Sequence, residues 1–301
     1  MDWVNRIRPY WLHLRPQAFP VAFIAALTGY ALSPARAHGW QLLPDLGLLF
    51  LLYGVLLWGG TNAFNSGQDG DTGPLNMLPN PPPVPPHLSA FGLAMKGLSV
   101  LGAGLVSGRL GILFAAAALA SAFYSGRSKP VGHWQRGKDV PGLDMAINAG
   151  GFGLGSLLVG YCLTPAPLTP LVWLYGAGFT LAYWGGMPTS QLFQFTPATT
   201  GDVRPNYTSQ LGGQRVLRMA CGFFAAHILL LSGLDVPLLL AAPPVARLCW
   251  ALWLLLLVFS AVHSWQWARA PFEQPYAKMM RQMMAMMTSQ LCWTAYAWLS
   301  A

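Results

Sequence analysis

The chain has 301 residues and a formal net charge of +8, with 54% hydrophobic and only 9% charged residues, against about 25% charged in a soluble domain. That balance excludes an ordinary soluble fold, and apolar segments follow one another from end to end without a linker, so 1–301 reads as a single integral membrane domain. The positive charge does not mark a nucleic-acid binder, because the basic residues stand at intervals between apolar segments rather than in one patch.

Taken in chain order, residues 1–15 place Trp3, Ile7, Trp11 and Leu14 on one helical stripe, with Arg6, Arg8 and Arg15 elsewhere. An interfacial helix on the inner leaflet has this pattern, with Pro9 kinking it or opening its second half. The basic start, the apolar 17–32 and "ARA" at 35–37 also resemble a signal peptide with its cleavage site, a reading in which one span would be lost. A bilayer crossing needs about 20 mostly apolar residues. Candidates lie at about 16–33, 43–66, 88–107, 109–126, 142–163, 168–188, 214–234, 244–266 and 280–300, which predicts an all-α polytopic protein with nine transmembrane helices. Only "SGRLG" separates the third and fourth, so one long broken segment is the alternative there.

The distribution of Lys and Arg tests this count. With the N-terminus in the cytoplasm, the inner loops carry Arg6, Arg8 and Arg15; Arg127, Lys129, Arg136 and Lys138; Arg204, Arg215 and Arg218; and Arg269, Lys278 and Arg281. The outer loops carry only Arg36, Arg109 and Arg247, and Lys96 falls inside the third span. This is the positive-inside pattern, and a missed or extra span would scramble it.

Several tempting features read as packing. Cys162, Cys221, Cys249 and Cys292 have no paired spacing, and the six histidines form no i, i+4 pair, so neither set marks a disulfide or zinc site. "MMRQMMAMM" at 279–287 fits helix packing and lipid contact better than a soft-metal site. "PNPPPVPP" at 79–86 suits a stiffened loop, and "GGFGLG" at 150–155 suits close helix contact without the strand context of a dinucleotide fold.

The chemistry concentrates after the second span. Of nine acidic residues in the chain, Asp69 and Asp71 stand one residue apart in "FNSGQDGDTGP". On a helix Asn62, Asn65 and Asp69 share one face, and Asp71 follows as the helix unwinds through Gly67, Gly70 and Gly73. Carboxylates near membrane depth are costly and usually functional. Two so close repel each other unless a cation stands beside them, and oxygen ligands on a short loop suit Mg²⁺, which often bridges to phosphate. The most basic loop, "YSGRSKPVGHWQRGKD", lies on the same predicted side. It offers Tyr124 and, just beyond, Arg127 and Lys129, groups that bind phosphate bidentately and as a point charge respectively.

These residues resemble the UbiA-type intramembrane prenyltransferase superfamily, and the likeness extends over nearly the whole chain. "NSGQDGDTGP" at 65–74 is similar to the family's Asn-x-x-x-Asp motif through Asn65 and Asp69, and "YSGRSK" at 124–129 to its Tyr-plus-basic element. "PGLDMAINAGGFGLG" at 141–155 resembles the fifth-helix pattern, with Asp144 and Asn148 one turn apart, and "MPTSQLFQ" at 187–194 the approach to the second Asp-rich motif. The chain departs from the family at Gly73, where many members carry a further Asp, and in the last motif, where Asp202 is the only acid after Gln194.

The resemblance implies nine helices around a central lipid-facing cavity. It implies Mg²⁺ on Asn65, Asp69 and Asp71, with Asp69, Asp71 and Tyr124 catalytic, and Asn62, Asn65, Arg127, Lys129, Asp144, Asn148, Gln194, Asp202 and Arg204 binding substrate. The implied activity moves a polyprenyl group from a prenyl diphosphate to an aromatic or other lipophilic acceptor, in a membrane expected to be a bacterial inner membrane. The sequence keeps two alternatives open. The eroded last motif fits a relative that binds prenyl diphosphate without turnover, and polar span ends with Lys96 inside a span fit a small-molecule transporter.

Overall fold

The computed structural model describes residues 2–71, 73–75, 77–126, 136–192 and 206–300. The helices, in chain order, are α1 (Asp2–His13), α2 (Phe19–Leu32), α3 (Gly39–Asp69), α4 (Leu88–Val106), α5 (Gly108–Ser125), α6 (Leu143–Cys162), α7 (Pro170–Gly186), α8 (Thr189–Leu192), α9 (Tyr207–Leu211), α10 (Gly213–Ala241), α11 (Pro244–Trp267) and α12 (Pro275–Ser300). No strand occurs among the described residues; Leu75 and Leu78 form one isolated antiparallel bridge.

Each predicted span coincides with a helix. Six of these, α3, α4, α5, α6, α10 and α11, are long and apolar enough to cross a membrane. Of the others, α2 has 14 residues and α7 has 17, while α12 has 26 but is less apolar. Large apolar side chains face outward along the helices, among them Leu105 at 90% exposure and Leu229 at 75%, which only lipid makes affordable over so many positions. The third and fourth spans are separate helices. Ser107 between them is extended (φ −161°, ψ 149°), and its hydroxyl accepts from Leu110 N, capping α5.

The chain clusters into two compact units, one of residues 1–26 with 37–138, the other of 27–36 with 139–301. In the first, α3 and α4 touch backbone to backbone. A Cβ on Gly92 would stand 2.5 Å from Gly60 O and from Phe64 N, and one on Gly60 would stand 2.8 Å from Gly92 O. Small residues permit this approach, which is how membrane helices pack without a hydrophobic drive of their own. Leu14, Phe19, Ala63, Leu88 and Met95 form a buried cluster in the same unit. The proline-rich loop is tied to α1: Tyr10 OH donates to Pro86 O at 2.7 Å, and His13 Nε2 lies 3.1 Å from Pro82 O.

Within α3, residues Leu49–Gly59 wind as a π-helix before α-helical geometry resumes over Gly60–Asp69. The end of α3 differs from the sequence expectation at Gly67, which stays helical rather than starting an unwinding. Its missing side chain serves a contact instead, since a Cβ there would stand 2.6 Å from Ser89 N. The helix stops at Gly70, whose φ of 65° is left-handed and whose N–H closes on Ser66 O.

In the second unit, fully buried Asp235 of α10 gathers three other helices. Its carboxylate accepts from Tyr175 OH of α7 (2.8 Å), Trp250 Nε1 of α11 (3.2 Å) and Trp293 Nε1 of α12 (2.8 Å). The methionine run packs as expected: Met279 is buried with Leu192, Leu217 and Trp267, and Met280 and Met283 lie against that cluster. All four cysteines are free thiols.

Replacing Gly92 with Ala tests the α3–α4 contact. The added methyl meets rigid backbone, and overpacking of this kind costs about 1–3 kcal/mol. Thermal unfolding in detergent should show a clear fall in midpoint for Gly92→Ala and none for Gly97→Ala, where nothing lies within 4 Å of the added atom.

Candidate functional site

The end of α3 carries Asn62, Asn65, Ser66 and Asp69, with Asp71 just beyond Gly70. Asn65 Oδ1 accepts from Ser125 Oγ and from Lys138 Nζ, both at 2.8 Å. Asp69 Oδ1 accepts from Arg136 Nη1 at 2.7 Å, and Asp69 Oδ2 accepts from Lys138 Nζ. All three charged side chains of this cluster are 8–9% exposed. Lys138 thus bridges the amide and the carboxylate that the motif spaces four residues apart.

Asp71 is met from the other direction. Arg15 Nη2 lies 3.9 Å from Asp71 Oδ2 and donates to Ser66 Oγ at 3.3 Å. Arg15 is buried and has φ 56°, a left-handed conformation uncommon for a residue with a side chain. Strain of this kind persists where surrounding structure holds it, and it concentrates at functional sites. Burial, then the charge of Asp69, pushes the Asp71 pKa above the ordinary carboxylate value, while Arg15, Ser66 and Lys138 oppose that rise. Burial likewise lowers the Arg15 pKa, opposed by Asp71 and Asp69. Among the described residues, two carboxylates face three cations, an excess that favours an anionic ligand.

The remaining candidates fall in several places. Asn62 turns its amide to Leu14 O (3.1 Å), tying α3 to the end of α1. Tyr124, half-buried at the end of α5, directly precedes the Ser125 that donates to Asn65. Arg127, Lys129, Gln194, Asp202 and Arg204 lie outside the described residues. Sequence reasoning placed Arg136 and Lys138 in the right loop but valued them only as topology charges. It gave Arg15 no role beyond the α1 surface. The usable signal was Lys138 and Arg136 in the same basic loop; nothing in the sequence marks Arg15 or Ser125.

In the second unit Asp144 is fully buried, and its carboxylate is an anchor. Oδ1 accepts from Gly142 N (2.9 Å), and Oδ2 accepts from Tyr207 N (3.2 Å) and Gln191 Nε2 (3.4 Å). Thr208 Oγ1 donates to Gln191 Oε1 at 2.7 Å. The start of α6 is thus bonded to the residues on both sides of 193–205. Asn148 Nδ2 donates to Asp144 O one turn back.

No family profile and no curated protein sequence matches the chain. Solved structures do. A digeranylgeranylglyceryl phosphate synthase described in membranes superposes with a TM-score of 0.66 at 14% identity, covering 98% of this chain and 99% of that one. This chain has the UbiA-type fold. A UbiA homolog from Archaeoglobus fulgidus bound to Cd²⁺ gives a TM-score of 0.62 at 14% identity, covering 97% of this chain and 100% of that one. The same homolog bound to GPP and Mg²⁺ gives 0.62 at 15% identity, covering 97% and 99%. Coverage end to end in both directions means that the UbiA-type architecture accounts for the whole chain, which is an integral membrane protein.

A metal ion has suitable ligands on this UbiA-type scaffold. Among the described residues no three His, Cys, Asp or Glu side chains converge. The donors at the end of α3 are instead an amide oxygen and two carboxylates, the hard set that Mg²⁺ prefers. Asp71 Oδ2 is buried and, among the described residues, has no hydrogen-bond partner beyond the 3.9 Å approach of Arg15, a cost that a bound cation would relieve.

Asp144→Ala removes the acceptor for two backbone N–H groups and Gln191. Leaving a buried donor unmade costs about 1–3 kcal/mol, so the unfolding midpoint should drop well below that of wild type. A midpoint unchanged from wild type would remove the anchoring role.

Proposed function

We propose that this protein is a membrane prenyltransferase of the UbiA type. It transfers a polyprenyl group from a prenyl diphosphate to an aromatic or other lipophilic acceptor, with Mg²⁺ held by Asn65, Asp69 and Asp71. The observation that carries this reading is the cluster at the end of α3. There the Asn65–Asp69 pair and Asp71 meet Arg15, Arg136 and Lys138 at the end of an apolar helix. The fold supports it, as does the GPP and Mg²⁺ bound by the Archaeoglobus fulgidus homolog. The positive-inside pattern supports a cytoplasmic position for this end of α3, with the bacterial inner membrane as the proposed location.

The chain's own residues supply most of what the reaction needs. Arg136 offers a planar fork for diphosphate oxygens and Lys138 a point charge, with Arg127, Lys129 and Arg204 as further candidates from sequence. Bound Mg²⁺ supplies charge neutralisation of the leaving diphosphate. When the C–O bond to that group breaks, the electron pair leaves with the diphosphate and an allylic cation remains. Tyr124, at the start of the basic loop, offers an aromatic face worth about 0.5–2 kcal/mol to such a cation. An electron-rich atom of the acceptor then attacks and gives up its proton, while the apolar surroundings keep water from the cation.

A second reading is a relative that binds prenyl diphosphate without turnover. It is favoured by the single acid, Asp202, between Gln194 and Asn206. Incubation of the protein in lipid with labelled prenyl diphosphates and a panel of acceptors separates the two. Transfer predicts metal-dependent release of pyrophosphate with label in a lipophilic product. Asp69→Asn should lower that rate at least about tenfold, equivalent to about 1.4 kcal/mol of barrier. Binding of the donor without pyrophosphate release, whichever acceptor is supplied, would favour the inactive relative.

A further inference from the structure

A metal could reach Asn65 Oδ1 only by displacing one of the donors it now has. An amide oxygen has two lone pairs, and Asn65 Oδ1 spends one on Ser125 Oγ and one on Lys138 Nζ, each at 2.8 Å. The same ammonium reaches Asp69 Oδ2, and Arg136 holds Asp69 Oδ1. The Lys138 ammonium therefore stands between the two ligands that a cation bridging Asn65 and Asp69 would need. A divalent ion there would displace it, because both cannot occupy one low-dielectric position beside the same oxygens. Lys138 has the reach for such a move, on a flexible four-carbon stem with rotatable donors. Arg136 holds the other Asp69 oxygen, Oδ1, at 2.7 Å.

We infer that Lys138 is a resident cation that closes the metal position until a diphosphate draws it away. Once displaced, its charge is best satisfied by the oxygens of the anion that arrives with the metal. Metal and anion then bind synergistically, and by thermodynamic reciprocity each raises the affinity of the other by the same factor. The device also keeps Asp69 neutralised when no ligand is bound, so the carboxylate is never left buried and unpaired. Lys138 acts here as a positioning residue on metal entry. The inference rests on Asn65 and Asp69 being metal ligands, and its test separates the two ideas.

The probe is Mn²⁺ in equilibrium dialysis against the protein in nanodiscs of zwitterionic lipid, with and without inorganic pyrophosphate on both sides and with protein-free nanodiscs as blank. Wild type should retain Mn²⁺ at least about tenfold more tightly with pyrophosphate present, a coupling of about 1.4 kcal/mol. Lys138→Gln should bind Mn²⁺ without pyrophosphate at least about tenfold more tightly than wild type, with most of the synergy lost. Lys138→Arg should keep the synergy, and Lys138→Met repeats the test if the glutamine variant does not fold. Equal Mn²⁺ binding by wild type and Lys138→Gln in the absence of pyrophosphate overturns the inference while leaving the metal site standing. Mn²⁺ binding that Asp69→Asn leaves unchanged, or no binding in any arm, overturns both.

Discussion

Two carboxylates at the end of an apolar helix must be neutralised, and much of the first unit is arranged to do so. Asp69 and Asp71 would each carry a desolvation cost of several kcal/mol if left ionised and unpaired in a buried setting. Three cations from separate stretches of chain meet them: Arg15 from the turn after α1, and Arg136 and Lys138 from the segment before α6. That convergence holds the turn after α1 and residues 136–138 against the end of α3. It also leaves a net positive site, which a phosphate-bearing ligand can enter and a neutral one has no reason to prefer.

The positions of these charges depend on backbone contacts deeper in the unit. Gly60 and Gly92 bring α3 and α4 into direct contact one turn before Asn65, and Gly67 does the same against Ser89. The π-helical winding of Leu49–Gly59 sets the rotation with which the final α-helical stretch emerges. Local distortions of this type recur next to functional sites. Asp144 plays the matching structural part in its own unit, where one buried carboxylate bonds both residues that flank 193–205. Asp144, expected from sequence to bind substrate, accepts from Gly142 N, Tyr207 N and Gln191 Nε2.

Hydrophobic runs made the helices legible, and the boundaries of α4, α5 and α11 fall within a residue or two of their apolar segments because nothing but lipid contact and helix packing selects those side chains. The Asn65–Asp69 spacing was legible for the same kind of reason, since a helical repeat puts both on one face. What could not be read were contacts between residues distant in sequence. Arg15 and Ser66 are 51 positions apart, and Lys138 and Asn65 are 73 apart. Local periodicity carries no information about such pairs. Gly67 was misread as a helix terminator because a glycine that permits close packing and one that ends a helix look alike until the neighbour is known; here the neighbour is Ser89. Arg127 and Lys129 drew attention by standing next to Tyr124, whereas the described contacts to the motif come from Arg136 and Lys138 at the far end of the same loop.

The central claim is that the end of α3 is a metal–diphosphate site. The most direct measurement is anomalous scattering from crystals grown with Mn²⁺ and a non-hydrolysable prenyl diphosphate analogue. The account predicts one strong manganese peak against Asp69 and Asp71, with diphosphate oxygens on the same ion and on Arg136 or Lys138. A diphosphate bound elsewhere, or bound to the arginines with no manganese at Asp69, would contradict it.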